Sequence, residues 1–174
     1  WARRCVQETG HGSDTSSGMV FCPHVNGQYG VREYSEVLSN HLGIEVGIYS
    51  GAPPRGFDRR EWDSTKANTA RSYKRNEVTL MACTRAFGMG IDNQNVRYTV
   101  HIGLPSSIES FYQEAGRAGR DREKAECGII ISNDDQRRTA TVLGANTTIE
   151  AITQIVDDAG YSENDDILRC MWFH

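Results

Sequence analysis

Short apolar runs alternate with longer stretches of helical periodicity along most of this chain. The first run is Met19-Val20-Phe21-Cys22, short and dense enough for a buried strand. From Gly30 to Leu42 the positions Val31, Tyr34, Val37, Leu38, His41 and Leu42 recur near helical spacing, and Gly43 stands where such a helix would stop. EVGIY at 45–49 reads as a second strand and APPRG at 52–56 as a turn. Arg59 to about Asn76 predicts a polar helix with few apolar anchors. VTLMAC at 78–83 and VRYTVHIG at 96–103 are two more strands. After Pro105, either Ser106 or Ser107 can cap a helix whose apolar face is Ile108, Phe111, Tyr112 and Ala115. ECGIIIS at 126–132 is the last strand, and helices at about 134–143 and 148–159 follow it. Strands that alternate with helices predict an α/β fold, a parallel sheet with helices on both faces and a short helical extension at the carboxyl end. In such sheets ligands bind beyond the carboxyl ends of the strands.

The 174 residues suffice for one compact domain. Hydrophobic content of 38% and charged content of 24% are those of a soluble globular chain, and no apolar run is long enough to span a membrane. The small polar stretch GHGSDTSSG at 10–18 predicts a flexible or linking segment over 1–16, followed by the main domain at 17–133 and the extension at 134–174. Trp1 in first place and the abrupt end at His174 suggest a chain cut from something longer.

The net charge of −4 argues against a protein that coats nucleic acid indiscriminately. The charge is unevenly placed, however. Residues 55–75 carry seven basic and three acidic side chains, and residues 147–174 carry six acidic and one basic. Within the basic stretch, Trp62 and Tyr73 either anchor the helix or offer rings to bases. The five cysteines contain no Cys-x-x-Cys pair, so no metal site is expected; the pair Cys170 and His174 is read as part of a partly apolar helix rather than as half of a zinc site. Cys22, Cys83 and Cys127 lie in apolar runs and read as buried, reduced core residues of an intracellular protein. His24 and His101, at strand ends, read as hydrogen-bonded core histidines.

Two stretches carry candidate chemistry. FYQEAGRAGRD, from Phe111 to Asp121, sets Arg117 and Arg120 three residues apart, each behind a glycine. A helix under selection for stability alone would avoid Gly116 and Gly119, since each weakens it by roughly 1 kcal/mol relative to alanine. Glycines make sense where the backbone must approach a neighbour closely, and a pair of guanidinium forks matches polyphosphate oxygens. The plainer alternative is a surface salt-bridge cluster with Glu109, Glu114, Asp121 and Glu123. The second stretch is TRAFGMGID, Thr84 to Asp92, directly after the strand ending at Cys83. Gly88 and Gly90 free the backbone to present N–H groups to an anion, Thr84 can donate to a phosphate, and Asp92 can accept from a ribose hydroxyl. An ordinary strand-to-loop turn would use the same glycines.

Taken together, Thr84 to Asp121 resembles motifs V and VI of superfamily 2 helicases, and most of all the RecQ family. The matching residues are Ala86 through Asp92, Val96-Arg97, Val100-His101, Leu104-Pro105, Ser107, Glu109, Tyr112, Gln113-Glu114 and Gly116 through Asp121. SGMVFC at 17–22 resembles the motif IV strand of that family.

The resemblance implies the second RecA-like domain of a two-domain, ATP-dependent DNA motor. ATP and Mg2+ would be held mainly by the first domain, whose GxxxxGK[ST] loop does not occur in these 174 residues. Arg117 and Arg120 would act as arginine fingers and Gln113 would position the nucleotide or the attacking water. Asp92, with Gly90 and Gly88, would bind the nucleotide. Thr84, Arg85 and Ser50 would contact the nucleic-acid backbone, and DNA and the first motor domain would be the partners. This chain departs from the family between Tyr49 and Thr84, where the spacing is longer and the usual YHAG is reduced to Tyr49-Ser50-Gly51. It also lacks the four cysteines of the zinc module that usually follows. An RNA helicase, an annealing motor, or a non-catalytic scaffold remain the alternatives.

Overall fold

The computed structural model describes residues 16–88, 93–103, 105, 107–130, 140–141 and 144–159. Five strands, β1 (Ser17–Phe21), β2 (Val46–Tyr49), β3 (Leu80–Cys83), β4 (Val96–Ile102) and β5 (Glu126–Ile130), form one sheet in the order β2-β3-β1-β4-β5. Every neighbouring pair is parallel. The connections are α1 (Val31–Leu42), α2 (Arg59–Lys74), a short 3-10 turn at Arg85–Gly88, and α3 (Ile108–Ala115); α4 (Ile149–Ala159) follows β5.

The alternation of side chains along each strand divides the core in two. On one face Val20, Cys22, Leu80, Ala82, Tyr98 and Ile102 meet Val31, Tyr34, Leu38 and Leu42 of α1. On the other, Met19, Phe21, Met81, Cys83 and Val96 meet Tyr73 of α2, Phe87 and Ala118. The expected α/β sheet with helices on both faces is therefore present.

Local chemistry explains the helix limits. Gly43 ends α1 at φ 69°, a left-handed conformation that glycine adopts without strain, and its N–H bonds to Ser39 O. Asp58 starts α2 by accepting from the N–H groups of Arg60 and Glu61 at 2.7 and 2.9 Å. Ser107 caps α3 by accepting from Ser110 N at 3.2 Å, and Ser106 lies outside the described residues.

Trp62 and Tyr73 prove to be anchors: both are fully buried, so neither ring is open to a base. Each contributes on the order of 2–3 kcal/mol by burial, and each settles its polar atom, Trp62 Nε1 donating to Ser50 O and Tyr73 Oη to Gly18 O, both at 3.0 Å. Gly18 is required by its neighbour, since a Cβ there would lie 1.9 Å from the Tyr98 ring.

Three expectations need correction. Cys127 is exposed on β5, an outer strand among the described residues, whereas Cys22 and Cys83 are buried as expected. His24 is exposed and only His101 is a core histidine. In α3 the most buried residue is Glu114, and of the expected apolar face Phe111 packs on His101 while Ile108 and Tyr112 are 49% and 78% exposed. An apolar stripe predicts burial only if the helix turns that stripe inward, and here polar pairing of Glu114 orients it instead.

Candidate functional site

The candidate residues fall at two ends of the sheet. At the carboxyl end, segments 21–24, 84–86 and 101–103 line a cavity with Pro105 and Glu114. Thr84 leaves β3 with its N–H bonded to Tyr49 O at 3.0 Å. Next to it Arg85, whose side chain is 60% exposed, donates from Nη1 to Ser110 Oγ at 2.9 Å and places Nε 3.9 Å from Glu114 Oε1. Glu114 is buried, and its Oε2 meets His101 Nδ1 at 3.0 Å. Burial disfavours a charged imidazole, but the Cys127 thiol and the Glu114 carboxylate beside it outweigh that and raise the His101 pKa. The ring is held between Phe21, stacked at 5.0 Å, and Phe111, at 5.1 Å.

Ser50 also lies at this end, but its hydroxyl is buried and donates to Ala52 O at 2.6 Å. The side chain is thus committed to its own loop, and the carbonyl accepts the Trp62 N–H.

At the amino end lies the arginine turn. α3 runs back across the sheet from Ser107, and the chain beyond it is fixed by Gly119 N bonding to Val96 O, at the first residue of β4, at 3.0 Å. Gly119 has φ 70°, and a Cβ there would lie 2.9 Å from Glu123 O and 3.1 Å from Ala125 Cβ. The close-approach reading of this glycine therefore holds in the folded chain. Arg117 is buried to 9% exposure and Arg120 is exposed. Burial and then the neighbouring Arg120 charge both lower the Arg117 pKa, while Cys83 and Glu114 work the other way. Two guanidinium groups that feel each other's charge are a donor set suited to a polyanion, whose binding would relieve their repulsion.

Asp121, one of the carboxylates offered as a salt-bridge partner for these arginines, is taken by Arg97 in a two-pronged pair, with Nη1 to Oδ1 at 3.0 Å. Gln113 is exposed on α3. Gly88 closes the turn after β3, while Gly90 and Asp92 lie outside the described residues, as do Cys170 and His174.

Sequence reasoning missed two features. Glu114 joins the two ends, since it binds His101, approaches Arg85, and acts electrostatically on Arg117. Its position four residues after Ser110 puts it on one helix face with that serine, which was a usable signal. The second is an asparagine network at the amino end. Asn93 Nδ2 donates to Tyr73 O at 2.9 Å and to Asn76 Oδ1 at 3.3 Å, and Ser17 Oγ donates to Asn76 Oδ1 at 3.0 Å. Among the described residues no cluster of three or more His, Cys, Asp or Glu could hold a metal ion, and no helix is long and apolar enough to cross a membrane.

This arrangement coincides with a known family. Residues 2–122 match the helicase conserved C-terminal domain. The chain belongs to that family. It is 39% identical over 124 residues to the ATP-dependent DNA helicase RecQ of Pasteurella multocida, a match covering 71% of this chain and 18% of that protein. It is 34% identical over 158 residues to the RecQ-like DNA helicase blm-1 of Caenorhabditis elegans, covering 88% and 15%. The chain thus spans less than a fifth of the length of these relatives. Among solved structures, the helicase Lhr of Mycobacterium smegmatis bound to ssDNA and AMP-PNP superposes with a TM-score of 0.53 at 18% identity, covering 87% of this chain and 18% of that one. The Escherichia coli DEAD-box protein SrmB gives 0.51 at 17% identity, covering 72% and 68%. At these identities the likeness establishes the fold, a RecA-like helicase domain.

Proposed function

We propose that this chain is the second motor domain of a RecQ-like, ATP-dependent DNA helicase, with 17–133 the motor domain proper and 134–174 its helical extension. The observation that carries the reading is the arginine turn: a buried guanidinium and an exposed one, set by a glycine that tolerates no side chain, on a domain of the helicase family. ATP binds between this domain and a first motor domain of the same protein, which holds most of the nucleotide and its Mg2+. Arg117 and Arg120 reach the terminal phosphates when the two domains close, Gln113 orients the attacking water or the nucleotide, and Asp92, Gly90 and Gly88 meet the ribose and phosphates. Bound Mg2+ supplies charge neutralisation between the phosphates. This chain's own residues supply the closing positive charge. By itself the domain hydrolyses nothing, because it offers half of the site.

Thr84 and Arg85, on the rim of the carboxyl-end cavity, meet the nucleic-acid backbone. Ser50 sets the floor of the adjoining loop rather than offering its hydroxyl. DNA, single-stranded or forked, is preferred over RNA on the strength of the relatives' names, and the protein works inside the cell. The test is Arg120→Ala in the full-length protein. The expected outcome is an ATP turnover lowered by about 10^3-fold with nucleotide and DNA affinity nearly unchanged. DNA-stimulated turnover at the wild-type rate overturns the assignment.

A further inference from the structure

The sheet edge formed by β4 and β5 holds a cluster that the motor reading does not use. Thr99 is the register partner of Cys127, and His101 follows Thr99 by two residues, so all three side chains stand on one face of the sheet. Cys127 is exposed, while Thr99 and His101 beneath it are 0% and 1% exposed. Thr99 Oγ1 and His101 Nε2 are both buried and meet no hydrogen-bond partner among the described residues. The other imidazole nitrogen is committed to Glu114 at 3.0 Å, and Phe21 and Phe111 hold the ring's plane. A buried polar atom without a partner is a standing penalty, and both atoms act on the Cys127 sulfur, whose ionisation would relieve it.

We propose that Cys127 is a reversible modification site, an activated thiol on a Thr99–His101–Glu114 wall that takes low-molecular-weight disulfides. The electrostatics support this geometry. Partial burial works against the Cys127 thiolate, but the His101 ring and the Thr99 hydroxyl outweigh it and lower the pKa, whereas burial drives the Cys22 pKa up to about 12 and that of Cys83 well above its usual value. In the reaction the Cys127 Sγ thiolate attacks one sulfur of the disulfide. A new S–S bond forms, the old one breaks, and the second sulfur leaves as a thiolate that takes a proton from the imidazolium or from water. Cys127 is oxidised and the disulfide is reduced. His101 acts as a positioning residue, and Glu114 fixes its orientation.

The test uses the full-length protein and glutathione disulfide, with mixed disulfide at each cysteine quantified by peptide mass spectrometry at neutral pH. Native Cys127 should react several-fold to about tenfold faster than the same cysteine in the urea-unfolded chain, because its thiolate fraction is higher. Cys22 and Cys83 should stay unmodified in the native protein. His101→Gln should remove the acceleration at Cys127 while Cys22 and Cys83 remain protected, which also shows that the variant is folded. If that variant exposes Cys22 and Cys83, the wild-type comparison of native and unfolded rates decides alone. A native rate at or below the unfolded rate overturns the proposal, as does a folded His101→Gln protein that reacts as fast as wild type.

Discussion

The two ends of the sheet are built on different principles. The carboxyl end is a cavity with several paired polar groups: Arg85 has Ser110 and Glu114, Glu114 Oε2 has His101 Nδ1, and Ser50 has Ala52. At the amino end Arg117 feels the charge of Arg120, with Cys83 and Glu114 acting the other way, and Asp121 is paired with Arg97. Two neighbouring guanidinium groups gain when a further counter-charge arrives. Under the proposed function, the first end would meet the nucleic-acid backbone and the second would supply charge to the phosphates, with α3 between them.

The comparison is broken most severely at its joint. His101→Leu leaves Glu114 buried beside a hydrocarbon, and about 3 kcal/mol of stability should be lost. The loss should depend on pH. The His101 pKa is raised in the folded state, so the pair contributes fully below the ordinary histidine pKa of about 6.5 and loses its contribution as pH rises through the higher folded value. Urea unfolding of wild type and variant should therefore give curves that converge toward alkaline pH. Parallel curves across the range would mean that the pair does not carry the ionisation.

Gly119→Ala attacks the amino end alone. It imposes a side chain at φ 70° and 2.9 Å from Glu123 O, which displaces the turn that bears the arginines. ATP turnover of the full-length protein should fall by about a hundredfold while DNA affinity stays within twofold or so. Equal losses in both assays would erase the division between the ends.

Arg85→Ala attacks the carboxyl end alone. DNA affinity should fall by about tenfold, and the slope of log affinity against log salt should become shallower by about one, with turnover at saturating DNA retained. The smallest effect belongs to Asp121→Asn. The Arg97 pairing holds the Asp121 pKa below its usual value, so its stabilisation is present above the unfolded carboxylate pKa of about 3.9 and disappears as pH falls through the folded value. Melting should show a slightly lower Tm near neutrality and none of that difference in acid.

Much of the fold was legible because strand and helix periods differ so plainly here. Glycine at 43 and serine at 107 marked helix ends through conformations that follow from their own chemistry. The candidate site was legible as a set of residue types but not as a map. Thr84 and Gly119 belong to one continuous stretch of matching sequence, yet Thr84 follows the carboxyl end of β3 while Gly119 is bonded to the first residue of β4. Only the register of the strands reveals that. Ser50 looked available because serine usually is, and its burial follows from the distant Trp62 packing beneath its loop. Cys127 sits in an apolar run like those of Cys22 and Cys83, but it falls on the outer strand, and strand order is not a local property.

That order has a consequence for how the protein is made. β1, the earliest described strand to leave the ribosome, is the middle strand of the sheet, and its partners β3 and β4 come from residues 80–83 and 96–102. Until some 60 further residues have been synthesised, the strand destined for the centre has nothing beside it. Such long-range pairing slows folding and leaves unpaired edges open to wrong partners. The nascent polypeptide therefore has reason to depend on chaperones during translation more than a domain assembled from successive neighbours would.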